Sequence, residues 1–143
     1  MEQIFIRLFE ERFGKPPASI LQIEGDGSSR AMYRVIGDGM ETAIGVVGPD
    51  HDENRAFLAY SRAFRSIGLP VPEIYAADEE AGLYIEEDLG ETTLFDAVTA
   101  ARAQDPGAAF PESILPVYER ILEILPRFQV EGGKVVDLSL IHI

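Results

Sequence analysis

The chain reads as an α+β protein, and three observations predict it. A β-prone hairpin lies early in the sequence, further strand candidates surround one amphipathic helix, and only helical periodicity follows residues 88 to 91. Strands first and helices afterwards describe a small antiparallel sheet carrying one packed helix, followed by a helical unit. The change of pattern divides the chain into residues 1–87 and 88–143. No internal repeat or low-complexity segment interrupts it.

From Glu2 to Phe13, the residues Phe5, Leu8, Phe9 and Phe13 fall at helical spacing with charges on the other side, which predicts an amphipathic lead helix. Gly14 occupies the C-cap position, and Lys15-Pro16-Pro17 prevents continuation. Ser19 to Ile23 is a short β-prone run, and Met32 to Ile36 alternates with the period of a strand up to the turn Gly37-Asp38-Gly39. Glu41 to Val47 gives a third strand, whose small Ala43 and Gly45 would let another element approach its face closely.

Asp50 fits a helix N-cap, and Glu53 follows at the spacing of a capping box. Phe57, Tyr60, Phe64 and Ile67 continue that helix, Gly68 ends it, and Pro70 and Pro72 fence its exit. The acids around His51 suggest a metal, but acidic residues in a first helical turn already follow from the helix dipole, so no metal ligand is expected there. Glu73 to Ala77 and Leu83 to Glu87 complete five strands, joined by the polar turn Asp78 to Gly82. Asp88-Leu89-Gly90 breaks the pattern, and Thr92 or Thr93 starts a helix running to about Ala103. A longer helix is predicted from Pro111 to about Phe128, with Ile114, Val117, Ile121, Leu125 and Phe128 on one side. Pro126 should bend or end its last turn.

Composition narrows the function. A chain of 143 residues holds one domain, or a small domain plus part of another, and 46% hydrophobic with 26% charged residues is ordinary for a soluble globular protein. The net charge of −13 argues against nucleic acid or an anionic membrane as partner. Without cysteine there is no disulfide, thiolate nucleophile or cysteine-based zinc site, which fits a reducing compartment. The first residues carry no basic region followed by an apolar run, and no segment is long enough to span a bilayer, so a cytoplasmic location is expected.

The sharpest chemical hint is the loop Gly25-Asp26-Gly27-Ser28-Ser29-Arg30 between the first two strands. Glycines let the backbone come close to a ligand, and consecutive N–H groups at a hairpin tip can converge on phosphate oxygens. A dinucleotide fingerprint would need a helix after the loop and a third glycine where Arg30 stands, and a Walker loop would need Gly-Lys-Ser/Thr. What survives is a glycine-rich hairpin lying over the phosphates of ATP, or else an ordinary Gly/Ser turn.

Gly25 to Arg30 with Tyr33-Arg34-Val35, Glu53 to Phe57, Gly68 to Ile74, and Glu86 to Leu94 come in an order and spacing that resembles the aminoglycoside phosphotransferase and choline kinase superfamily, and within it the bacterial N-acetylmuramate/N-acetylglucosamine kinases. The resemblance implies a protein-kinase-like N-terminal lobe over residues 1–87, then a hinge and the first helices of a C-terminal lobe over 88–143. It implies ATP and Mg²⁺ as cofactors and a sugar or amino-sugar hydroxyl as acceptor. Gly25, Gly27, Ser28 and Ser29 would offer amides to the phosphates, with Arg30 either a charge partner or a solvated loop-end arginine. Glu53 corresponds to the helix glutamate that pairs with a strand lysine in kinases, unless it only completes the capping box. The main chain of Glu86, Glu87 and Asp88, continuing to Gly90, would hold adenine.

Two departures follow. The third strand contains no lysine, and the superfamily's catalytic Asp and Asn and its later metal-binding Asp correspond to no residue of this chain, so no catalytic residue or metal ligand is assigned. Val135 to Leu140 still resembles the family while Ile141-His142-Ile143 does not, from which truncation, lack of transfer activity and self-association through uncovered C-terminal helices are expected. The competing expectation is a non-catalytic, pseudokinase-like binding module, which the missing lysine also suits.

Overall fold

The fold is described from a computed structural model over residues 1–23, 29–107 and 110–140. Helix α1 (Glu2–Phe13) buries Phe5, Leu8 and Phe9 of the predicted stripe, with Phe13 only partly buried against the same core. Gly14 closes it in the left-handed region at φ 76°, donating its N–H to the Glu10 carbonyl at 2.8 Å.

Five antiparallel strands form one sheet: β1 (Ser19–Ile23), β2 (Ala31–Ile36), β3 (Thr42–Val47), β4 (Ile74–Asp78) and β5 (Leu83–Glu87), in the spatial order β1-β2-β3-β5-β4. The pairing of Ile23 with Met32 and of Ser19 with Ile36 makes β1 and β2 a hairpin, a strand-to-strand connection incompatible with a Rossmann or Walker loop. Directly paired residues share a face, so Arg34, Ile44, Glu86 and Ile74 make one cross-strand row, and Ile23, Met32, Val46, Tyr84 and Ala77 the next.

The opposite face presents Val35, Ala43, Leu83 and Ile85 to Phe5, Leu8 and Phe9 of α1, forming the first core. Gly45 lies beneath Phe5, and a Cβ there would meet its ring carbons at 2.8 Å and 2.9 Å. The close approach suggested by Ala43 and Gly45 is thus the docking of α1.

The second face packs on α2 (His51–Ser66) through Leu58, Ile44, Val46 and Tyr84. Asp50 caps this helix as expected, its carboxylate accepting the N–H groups of Asp52 at 3.0 Å and Glu53 at 2.9 Å. The buried side of α2 differs from the predicted stripe. Asn54, Leu58 and Ser61 face inward, whereas Phe57, Tyr60 and Phe64 are only partly buried along the flank. The cause is Asn54, whose amide donates to the carbonyls of Gly48 at 2.9 Å and Gly82 at 3.1 Å and fixes the rotation of the helix. Phe57 then stacks on Tyr84, and Phe64 meets Phe128 edge-on.

After the sheet, Thr93 and Asp96 form a reciprocal capping box at the start of α3 (Leu94–Gln104). The helix predicted from Pro111 begins as a 3-10 turn at Glu112–Ile114 and becomes α4 at Leu115–Val130. Pro126 does not end α4, which continues to Val130. None of the α4 residues is fully buried: Val117, Ile121 and Leu125 of its apolar stripe are exposed, Phe128 is partly covered by Phe64, and Ile114 just before the helix is buried. Among the described residues no helix is long and apolar enough to cross a membrane.

Candidate functional site

The α2-facing side of the sheet opens into a cleft of about 510 Å³ between the base of the β1–β2 hairpin and the junction from β5 to α3. Ile23, Met32 and Ile44 supply its sheet wall, and Leu89, Gly90 and Thr93 the junction wall, with Pro72 and Glu86 also lining it. Strand alternation brings Ile23, Met32 and Ile44 to one surface, which is why a flat apolar wall forms there.

The junction is held rigidly to β2. Arg34 donates from Nε to Asp88 at 2.8 Å and from Nη2 to its other carboxylate oxygen at 3.2 Å, and it also pairs with Glu91. Asp88 in turn accepts the Gly90 N–H at 2.9 Å, fixing the turn in which Gly90 adopts φ 92°. Burial pushes the Asp88 carboxyl upward, but the Gly90 N–H, the Arg34 guanidinium and the Thr42 hydroxyl outweigh it, leaving it below the usual carboxylate range.

Glu86 is the opposite case. Its side chain lies on the cleft face beside Ile44 and Tyr84, and burial pushes its carboxyl up to about 7, with nearby Arg30 pulling the other way. Glu87 alternates away: its carboxylate accepts the Glu73 N–H and an Arg65 guanidinium N–H, each at 3.1 Å, tying β5 to the end of α2.

At the other end of this face, a second cleft of about 530 Å³ is lined by Arg30, Asp50, Asp52, Glu53, Phe57, Tyr60 and others. Arg30 pairs with Glu53 at 3.0 Å and lies over the Phe57 ring at 4.8 Å. Glu53 therefore gives its N–H to the Asp50 cap and its carboxylate to Arg30. Arg30 precedes β2 by one residue and Arg34 comes four positions later, roughly 13 Å along an extended chain.

Of the residues singled out in the sequence, Arg30 and Glu53 come together at one end, and at the other Glu86 lines the cleft while Glu87 only borders it, its carboxylate turned to Glu73 and Arg65. Asp88 holds Arg34, and Ser29 is exposed. Gly25, Gly27 and Ser28 lie outside the described residues. Sequence reasoning missed Arg34 as the partner of Asp88 and Phe57 as the platform under Arg30. The alternation of β2 puts Arg34 on the same face as Met32, which was the available signal. Among the described residues no cluster of three or more acidic or imidazole groups gathers as a metal site.

No family model matches the chain. It is similar to the N-acetylmuramate/N-acetylglucosamine kinase of Pseudomonas aeruginosa, 28% identical over 140 residues covering 87% of this chain and 41% of that protein. To the N-acetylmuramate/N-acetylglucosamine kinase of Pseudomonas putida it is 31% identical over 103 residues, covering 71% of this chain and 30% of that protein. The chain thus spans less than half the length of either relative, and their names support a relationship to sugar kinases and a phosphotransferase function at the family level.

Proposed function

We propose that the chain is the ATP-binding portion of a small-molecule phosphotransferase acting on a sugar or amino-sugar hydroxyl, with residues 1–87 as a protein-kinase-like N-terminal lobe. The observation that carries this reading is a single sheet face holding an apolar cleft at the strand-to-helix junction and a basic group, Arg30, at the mouth of the hairpin. An adenine ring fits the first, bounded by Met32, Ile44 and Leu89 and by the main chain that Asp88 and Arg34 hold still. A phosphate tail fits the second.

The Arg30–Glu53 pair supports the same reading chemically. Protein kinases steady the α- and β-phosphates with a strand lysine paired to a helix glutamate. Here Ile44 and Val46 of β3 are apolar, and the cation at the Glu53 end of this face comes instead from the residue before β2, Arg30. A guanidinium is planar and offers paired donors, so it can grip two phosphate oxygens where an ammonium acts as a point charge. Mg²⁺ bound to the nucleotide would neutralise part of the charge that Arg30 meets. Ser29 adds a main-chain N–H beside Arg30, and Glu53 holds the guanidinium in place between turnovers of ligand.

Phosphoryl transfer also needs an Asp to orient the hydroxyl and an Asn and Asp for the metal. No residue of this chain corresponds to them, so the 143-residue chain should bind nucleotide without transferring phosphate. Thermal unfolding with Mg-ATP at a hundred times its Kd should show about 2.7 kcal/mol of added stability. ADP release in the presence of N-acetylglucosamine should stay at background. An unchanged melting curve at millimolar Mg-ATP would sink the nucleotide site, and steady turnover would overturn the division of labour.

A further inference from the structure

Glu86 carries a carboxylate that the described residues around it leave incompletely satisfied. The residue is 8% exposed, and Oε2 is sealed from solvent with no hydrogen-bond partner among the described residues. Its cross-strand neighbours are Ile44 and Ile74, and the next row presents Val46 and Tyr84. A buried carboxylate left unsatisfied costs stability, and the part of Glu86 that stays accessible borders the cleft, where a donor on a ligand would complete it. That cleft is walled by Ile23, Met32, Ile44, Pro72 and Leu89, an apolar slot suited to a flat ring with one polar contact at its back.

We propose that Glu86 reads the nucleobase, accepting a hydrogen bond from the exocyclic amino group of a purine and thereby selecting adenine over a 6-oxo purine. This rests on the nucleotide reading above and adds to it: main-chain groups of the junction suffice to hold a base, whereas Glu86 chooses which base. An ionised carboxylate offers acceptors only, so an amino group satisfies it and a carbonyl oxygen repels it. Arg30 is the cation that favours the ionised form against burial, and with the carboxyl near 7 the acceptor form dominates at pH 8.

The test is calorimetric titration of the 143-residue chain at pH 8 with Mg-ATP and with Mg-ITP, which share ribose and triphosphate and differ on the Watson–Crick edge of the base. Wild type should bind ATP about tenfold to a hundredfold more tightly, the range of one hydrogen bond to a charged group. In Glu86→Gln the amide can turn either its oxygen or its NH₂ toward the base, so the two affinities should converge to within about threefold. Glu86→Met keeps the volume, removes both oxygens and should converge likewise, which guards against a Gln variant that does not fold. Equal affinities in wild type, or the wild-type ratio persisting in a folded variant, would overturn base reading while leaving nucleotide binding intact. Absence of heat with either nucleotide would overturn both.

Discussion

Glu86 sets a conflict between position and charge that has a measurable consequence without any ligand. Its folded-state carboxyl titrates near 7, above the ordinary value of 4.5, because burial disfavours the anion more than Arg30 favours it. Between those two values the folded chain binds more protons at this site than the unfolded chain does. Stability contributed by the neutral acid is therefore complete below about pH 4.5 and declines as pH rises through 7, by about 3 kcal/mol at most. Asp88, held low by Gly90 and Arg34, works in the opposite direction at more acidic pH and is common to wild type and variant. Denaturant unfolding of wild type and Glu86→Gln from pH 5 to 8 should show the wild type losing ground steadily to the variant. Parallel curves would mean that the carboxyl is solvated and titrates normally.

The sheet's dependence on α1 is decided where β3 narrows to Gly45. Phe5 is fully buried and lies so close that an added Cβ would approach its ring to 2.8 Å, well inside contact distance. Gly45→Ala should therefore destabilise by about 1–3 kcal/mol, because the Phe5 ring that would have to shift is fully buried in the first core. Combining it with Phe5→Leu should give a smaller loss than the sum of the single changes, and simple additivity in the double-mutant cycle would show that the ring is not the obstacle. This close approach was legible from small residues in an otherwise bulky strand. Strands β1 and β5 were legible to the residue, since alternation and flanking turn residues mark their ends locally. The buried side of α2 was not, because its rotation is fixed by Asn54, a polar residue that an apolar period does not count. The same limit hid the pairing of Arg34 with Asp88, which are 54 positions apart and meet only once the β2–β3–β5 register is known. In α4 the period was right, but a stripe alone does not say whether anything covers it.

At the scale of the whole molecule, the net charge of −13 faces an anionic ligand. The attractive charge at the proposed phosphate end is local: Arg30 is mostly covered, with 18% of its side chain exposed, and Asp50, Asp52 and Glu53 line the same cleft. Long-range and short-range forces therefore oppose each other. Approach from solution is governed by the summed field, which repels Mg-ATP, and salt screens that field as the Debye length falls from about 30 Å at 0.01 M to about 8 Å at 0.15 M. The bound state is governed by contacts within a few ångströms in a partly desolvated cleft, which salt weakens much less. The association rate of Mg-ATP, measured by stopped flow, should accordingly rise with salt over this range while the dissociation rate changes little. That trend is the reverse of the one produced by electrostatic steering. An association rate that falls with salt would mean that the mouth of the cleft is electropositive despite the acidic chain, and that cations other than Arg30 guide the nucleotide in.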